Sequence, residues 1–120
     1  PEYFSIGDVA IWPGDPAISI IEALACELPV IVSKSESSRH LVSNCNGRVF
    51  QRGDSSSLTE TIRDLLSDQP KLRKMGRRSR DLARRVFDWD NVADRYLTVY
   101  REILTGQELE LDPIWKEGQI

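Results

Sequence analysis

One histidine and two cysteines leave little material for side-chain chemistry. His40 lies in a polar stretch with no second ligand near it in sequence, so it reads as a solvent-facing residue rather than a catalyst. Cys26 and Cys45 make no Cys-x-x-Cys or metal spacing; they read as a buried thiol and a loop thiol of a reducing compartment. No group of His, Cys or carboxylate residues has ligand spacing, so no protein-bound metal or other cofactor is expected. No apolar run approaches the ~18 residues of a membrane-spanning helix. The opening Pro1-Glu2-Tyr3-Phe4 lacks the basic and apolar regions of a signal peptide, and it lacks an initiator Met. A cytoplasmic fragment or processed product is therefore expected. There is no internal repeat, and a net charge of −3 lacks the positive excess of a general nucleic-acid binder. With 40% hydrophobic and 29% charged residues, what remains is an ordinary soluble domain able to bury one core.

The most informative stretch runs from Val9 to Val32. The apolar run Val9-Ala10-Ile11-Trp12 reads as a buried strand, and Val30-Ile31-Val32 as a second. Between them lies a loop rich in turn formers, Pro13-Gly14-Asp15-Pro16, then a short helix over about 17–26. Its inner face is expected to carry Ile18, Ile21, Ala25 and Leu28. Asp15 reads as the N-cap and Pro16 as the first helical residue. Strand, turn, helix and strand make a βαβ unit, which implies a parallel sheet. In such sheets ligands bind at the carboxyl ends of the strands, where helix N-termini present free N–H groups to anions.

Residues 1–8 read as the tail of a helix or a loop. After the strand at 30–33, Lys34-Ser35-Glu36-Ser37-Ser38 precedes a short helix near 39–43, a turn at 44–47 and a strand at 48–50. Three helices follow. The first starts at Ser57 with Glu60 completing a capping box, and carries Leu58, Ile62, Leu65 and Leu66. The second opens at Pro70, with Leu72, Met75, Leu82 and Val86 on a narrow stripe. The third is capped by Asp88, carries Val92, Tyr96, Val99, Tyr100 and Ile103, and stops at Gly106. The second of these is strongly basic: Lys71, Arg73, Lys74, Arg77, Arg78, Arg80, Arg84 and Arg85 against Asp81. Such a face is a solvated surface by default, and a membrane surface or an anionic acceptor could use it. Three apolar parallel strands are fewer than the roughly six of a complete dinucleotide-type domain. An open parallel edge would invite aggregation, so a partial chain is expected.

The segment Glu22-Ala23-Leu24-Ala25-Cys26-Glu27-Leu28-Pro29-Val30-Ile31 resembles the donor-binding motif of retaining glycosyltransferases of the GT-B fold, especially family four. There a Glu-x7-Glu motif has a second Glu that opens Glu-Ala-Met-Ala-x-Gly-x-Pro-Val-Ile. Asn46-Gly47-Arg48-Val49-Phe50 resembles the family's Asn-Gly loop and strand, Phe87-Asp88-Trp89 its Phe-Ser-Trp, and Tyr100 also corresponds. Two positions depart. Eight residues before Glu22 stands Gly14, so the first Glu is absent and Asp15 is the nearest carboxylate. Glu27 replaces the Gly that ends the helix, a position of left-handed strain.

The resemblance implies an α/β fold: a partial Rossmann-like domain of about three parallel strands with flanking helices, then a helical C-terminal region. Residues 1–106 would be the C-terminal part of the nucleotide-sugar-binding domain. Residues 107–120, with Leu109, Leu111 and Trp115, would be a tail packed on a neighbour or disordered. Glu22 would accept hydrogen bonds from the ribose hydroxyls of the donor. Ala17, Ile18 and Ser19 would give backbone N–H groups to its diphosphate, and Asp15 would meet the transferred sugar or serve only as a cap. The implied activity is sugar transfer from a nucleotide diphosphate-sugar to a glycan, lipid or small molecule. The implied partners are that donor and a missing N-terminal domain or another subunit, with peripheral membrane contact through the basic helix and no nucleic acid. Two other classes stay open: a non-transferring enzyme such as a nucleotide-sugar epimerase, and an inactive binding or interaction module.

Overall fold

The structure is a computed structural model, and it describes residues 2–38 and 40–106. Three parallel strands, β1 (Ala10–Trp12), β2 (Val30–Ser33) and β3 (Gly47–Phe50), lie in the order β1-β2-β3. Ala10 is level with Val30, and Val30 with Gly47. The central strand is buried along its whole length, as a β-branched run flanked by two neighbours requires. Its side chains alternate between two cores. Val30 and Val32 meet Ile20, Ala23, Leu24, Leu28, Leu41, Val42 and Ala83 on one face. On the other face Ile31 meets Phe50, Leu65, Leu72 and Met75.

Helix α1 (Ser19–Ala25) covers the first face. It is shorter than the expected 17–26, and its inner residues are Ile20, Ala23 and Leu24. Ile18 is 80% exposed, Ala25 is exposed and Ile21 only half-buried. The apolar positions are so nearly continuous that the phase is set by where the helix starts. It starts late because residues 13–17 are held as a loop.

The helix ends as a Schellman turn in which Leu28 N–H donates to Ala23 O and Glu27 N–H to Leu24 O, both at 3.1 Å. Glu27 takes the left-handed position itself, at φ 63°. Helix α2 (Ser55–Leu66) is capped by Asp54, whose Oδ1 accepts from the amides of Ser56 and Ser57. The expected Ser57 cap fails because Asp54 captures the helix start three residues earlier; Ser57 Oγ accepts instead from Gln51 N–H. Between β2 and β3 a single 3₁₀ turn at Glu36–Ser38 replaces the short helix expected near 39–43, and residues 40–41 form a turn. A second 3₁₀ turn spans Phe4–Ile6.

Helix α3 (Gln69–Val86) is capped by Asp68, with Pro70 one residue deeper than expected. Its buried stripe is Leu72, Met75, Gly76, Ser79 and Ala83, with Leu82 and Val86 half-buried. The small residues explain the placement. A Cβ on Gly76 would collide with the Glu27 carbonyl oxygen, and Ser79 Oγ donates to Asn46 O at 3.2 Å. Residue 46 immediately precedes β3 and residue 27 lies three residues before β2, so α3 closes the amino ends of these strands.

Helix α4 (Trp89–Thr105) is capped by Asp88 and stopped by Gly106 at φ 67°, as expected. It serves the end of α3: Asn91 Nδ2 donates to Arg84 O at 2.9 Å, and Arg95 reaches the carbonyls of Arg85 and Val86 at 3.4 Å. None of its residues is buried, and Tyr96, Val99, Tyr100 and Ile103 are exposed. The tail expected at 107–120 lies outside the described residues.

Candidate functional site

The carboxyl ends of the strands converge on one loop. β1 leaves the sheet at Trp12 and the chain passes through Pro13-Gly14-Asp15-Pro16 before α1. At the end of β2, the Ser33 side chain is buried and its Oγ donates to Gly14 O at 2.8 Å. Past the end of β3, Arg52 Nη1 donates to Asp15 Oδ1 at 2.7 Å. One loop is therefore fastened to the ends of the other two strands. The amide of Lys34 extends the ladder by donating to Phe50 O at 2.9 Å, and the residue is exposed.

Asp15 is thus not the cap of α1. The N-cap is Ile18, already helical in backbone (φ −56°, ψ −27°) and making no side-chain cap bond. Nor is Pro16 the first helical residue. The Asp15 carboxylate is occupied by Arg52, and the helix opens instead with two tight turns, Ile20 N–H to Ala17 O and Ile21 N–H to Ile18 O, both at 2.9 Å. Among the described residues, the amides of Ala17, Ile18 and Ser19 donate to no protein acceptor. Ala17 and Ile18 are exposed and Ser19 is half-buried.

Glu22 stands in the first turn of α1, exposed, and its carboxylate makes no hydrogen bond or ion pair among the described residues. Its neighbours Ala23 and Leu24 are fully buried against the sheet, so the helix is anchored on one side while the carboxylate stays open to solvent. Glu27, five residues on, is at the other end of the helix and pairs with Arg80 at 2.7 Å.

His40 and Cys45 are exposed, and Cys26 is half-buried rather than buried. Among the described residues no group of three or more His, Cys, Asp or Glu residues could hold a metal ion. A cavity of about 230 Å³ lined by Ile21, Ala25, Ala83, Arg84, Phe87, Asp88 and Trp89 opens between α1 and the α3–α4 turn. It is mainly apolar, and none of the loop residues 13–16 lines it.

Ser33 and Arg52 did not stand out in the sequence. A hydroxyl ending an otherwise apolar β-branched strand was the available signal for Ser33. Arg52 had none, because its partner is 37 residues away.

The family model for glycosyl transferases group 1 matches residues 1–82. The chain belongs to that family. The match contains the loop, α1 with Glu22, all three strands and most of α3. The chain is 30% identical over 108 residues to spore coat protein SA of Bacillus subtilis (strain 168), covering 85% of this chain and 29% of that protein. Its fold is similar to that of sucrose-phosphate synthase from Thermosynechococcus elongatus, with a TM-score of 0.75 at 25% identity. That similarity covers 88% of this chain and 27% of the synthase. The chain thus spans under a third of the length of either relative.

Proposed function

We propose that this chain is the donor-binding part of a glycosyltransferase that moves a sugar from a nucleotide diphosphate-sugar to an acceptor, with retention of anomeric configuration. The observation that carries the reading is Glu22. It opens the family motif, sits on a helix that follows a strand and a loop, and keeps its carboxylate unengaged at the side of the sheet where ligands of parallel α/β folds bind. A free carboxylate accepts two charge-assisted bonds from adjacent ribose hydroxyls. The unengaged amides of Ala17, Ile18 and Ser19 would serve the diphosphate, with a basic pair expected upstream of Pro1. Charge accumulates on the diphosphate oxygens as the sugar departs, and donors already oriented toward them lower that barrier without reorganising. No base from this chain is required. A missing N-terminal domain or another subunit would supply the acceptor side of the cleft.

The same reading keeps the protein in the cytoplasm; among the described residues no helix is long and apolar enough to cross a membrane. Peripheral contact with a membrane would fall to the exposed basic face of α3.

The test is a titration of the full-length protein with uridine, adenosine and guanosine diphosphates, followed by a labelled sugar donor. Binding with transfer is expected; binding with sugar interconversion would favour an epimerase, and no binding would leave an interaction module. Glu22→Ala should weaken the diphosphate that binds by at least ~10-fold, about 1.4 kcal/mol. Its melting temperature should hold, because Ala is the better helix former by a few tenths of a kcal/mol, roughly. Equal affinity in the two proteins would sink the assignment.

A further inference from the structure

We propose that Arg52 is a positioning residue of the donor site, acting through Asp15. The inference rests on the donor-site reading above and concerns a residue outside its motif. Strand β2 lies between β1 and β3, so the bond from Arg52 Nη1 to Asp15 Oδ1 spans the carboxyl end of the central strand. Under that bridge Ser33 Oγ holds the adjacent carbonyl of Gly14. Two consecutive loop residues are thus fixed, one by its backbone and one by its side chain, immediately before the amides of residues 17–19.

The electrostatics give the bridge its purpose. A carboxylate two to four residues from a diphosphate site lies within roughly one Debye length of it at 0.1 M salt, so an unpaired Asp15 repels the ligand. Pairing with a guanidinium cancels most of that field and turns the carboxylate into a fastening point. Folding gains little from the pair, because the two side chains are 52% and 75% exposed. Arg52 therefore acts on the charge and the aim of the loop more than on the stability of the fold.

The experiment uses the full-length protein and whichever of uridine, adenosine or guanosine diphosphate it binds, together with the matching uncharged nucleoside. Arg52→Ala should weaken the diphosphate by about 3- to 10-fold at 20 mM salt, with the loss shrinking as salt rises. Nucleoside affinity should not change. The double variant Asp15→Asn with Arg52→Ala removes the exposed carboxylate but not the lost fastening, so its diphosphate affinity should lie between that of the single variant and wild type. An Arg52→Ala protein that binds the diphosphate normally, or loses nucleoside affinity equally, overturns the proposal. So does a double variant as weak as the single one. A wild-type protein that binds none of the three diphosphates overturns the donor-site reading itself, and with it this inference.

Discussion

At Glu27 the backbone sits at φ 63°, where an L side chain other than Asn or Gly is costly. Two contacts hold it there: the pair with Arg80, and α3 pressed against its carbonyl at Gly76. The pair is about half exposed on both sides and contributes roughly 0–1 kcal/mol, less than the ~1–2 kcal/mol of left-handed strain. Glu27→Gly should therefore match or exceed wild-type stability, by up to about 1 kcal/mol once the looser unfolded chain is counted. Urea unfolding measures it, and a clear loss would mean the Arg80 pair outweighs the strain. Gly14 poses the converse case. A Cβ there meets nothing within 4 Å, and its φ lies outside the left-handed range. Gly14→Glu would rebuild the Glu-x7-Glu spacing and should alter unfolding free energy by no more than about 0.5 kcal/mol, so packing does not forbid the family's first carboxylate. The motif around Glu22 was legible because it is contiguous in sequence. The fate of Asp15 was not, since the Arg52 that takes it from its expected capping role comes from another strand's loop.

Among the elements, the strands were legible and the helix starts only in part: Asp88 caps α4 as expected, whereas α1 and α2 start elsewhere. Val30-Ile31-Val32 has one reading, a strand buried on both faces, and it pairs as expected. Residues 54–57 are Asp-Ser-Ser-Ser, four competent caps in a row, and only the tertiary path after β3 selects Asp54. α1 has seven residues, under two turns, too few for periodicity to fix its phase. α3 was read as a narrow apolar stripe, but its contact with the sheet is made by Gly76, Ser79 and Ala83 as much as by Leu72 and Met75. That substitution of small residues for large lets the helix reach the backbone at residues 27 and 46. Inside a helix Gly→Ala normally gains ~1 kcal/mol. At Gly76 the new Cβ meets a carbonyl oxygen that cannot swing away, and overpacking of this kind costs about 1–3 kcal/mol. Gly76→Ala should thus lower the melting temperature against propensity, and a rise would show that α3 can lift off without loss.

At the scale of the molecule, stability should be graded from β2 outward. β2 is buried along its length and hydrogen-bonded on both sides. β1 has no second neighbour among the described residues. α4 has no buried residue, and Trp89, Tyr96, Tyr100, Ile103 and Leu104 are 83%, 63%, 59%, 62% and 85% exposed. Its polar face does the visible work, with Asn91 and Arg95 bonding the last carbonyls of α3. An apolar face with three aromatic rings open to water is unusual for a finished surface, and the chain covers only 29% and 27% of two longer relatives. Local opening should follow this gradient, because exchange protection tracks buried apolar contact. In the 120-residue chain, hydrogen exchange read by mass spectrometry should show α4 exchanging first and β2 last. In the full-length protein α4 should become markedly slower while β2 changes little. Protection of α4 equal to that of β2 in the short chain would mean that its contacts with α3 suffice to hold it. No slowing in the full-length protein would mean that its apolar face stays open there too.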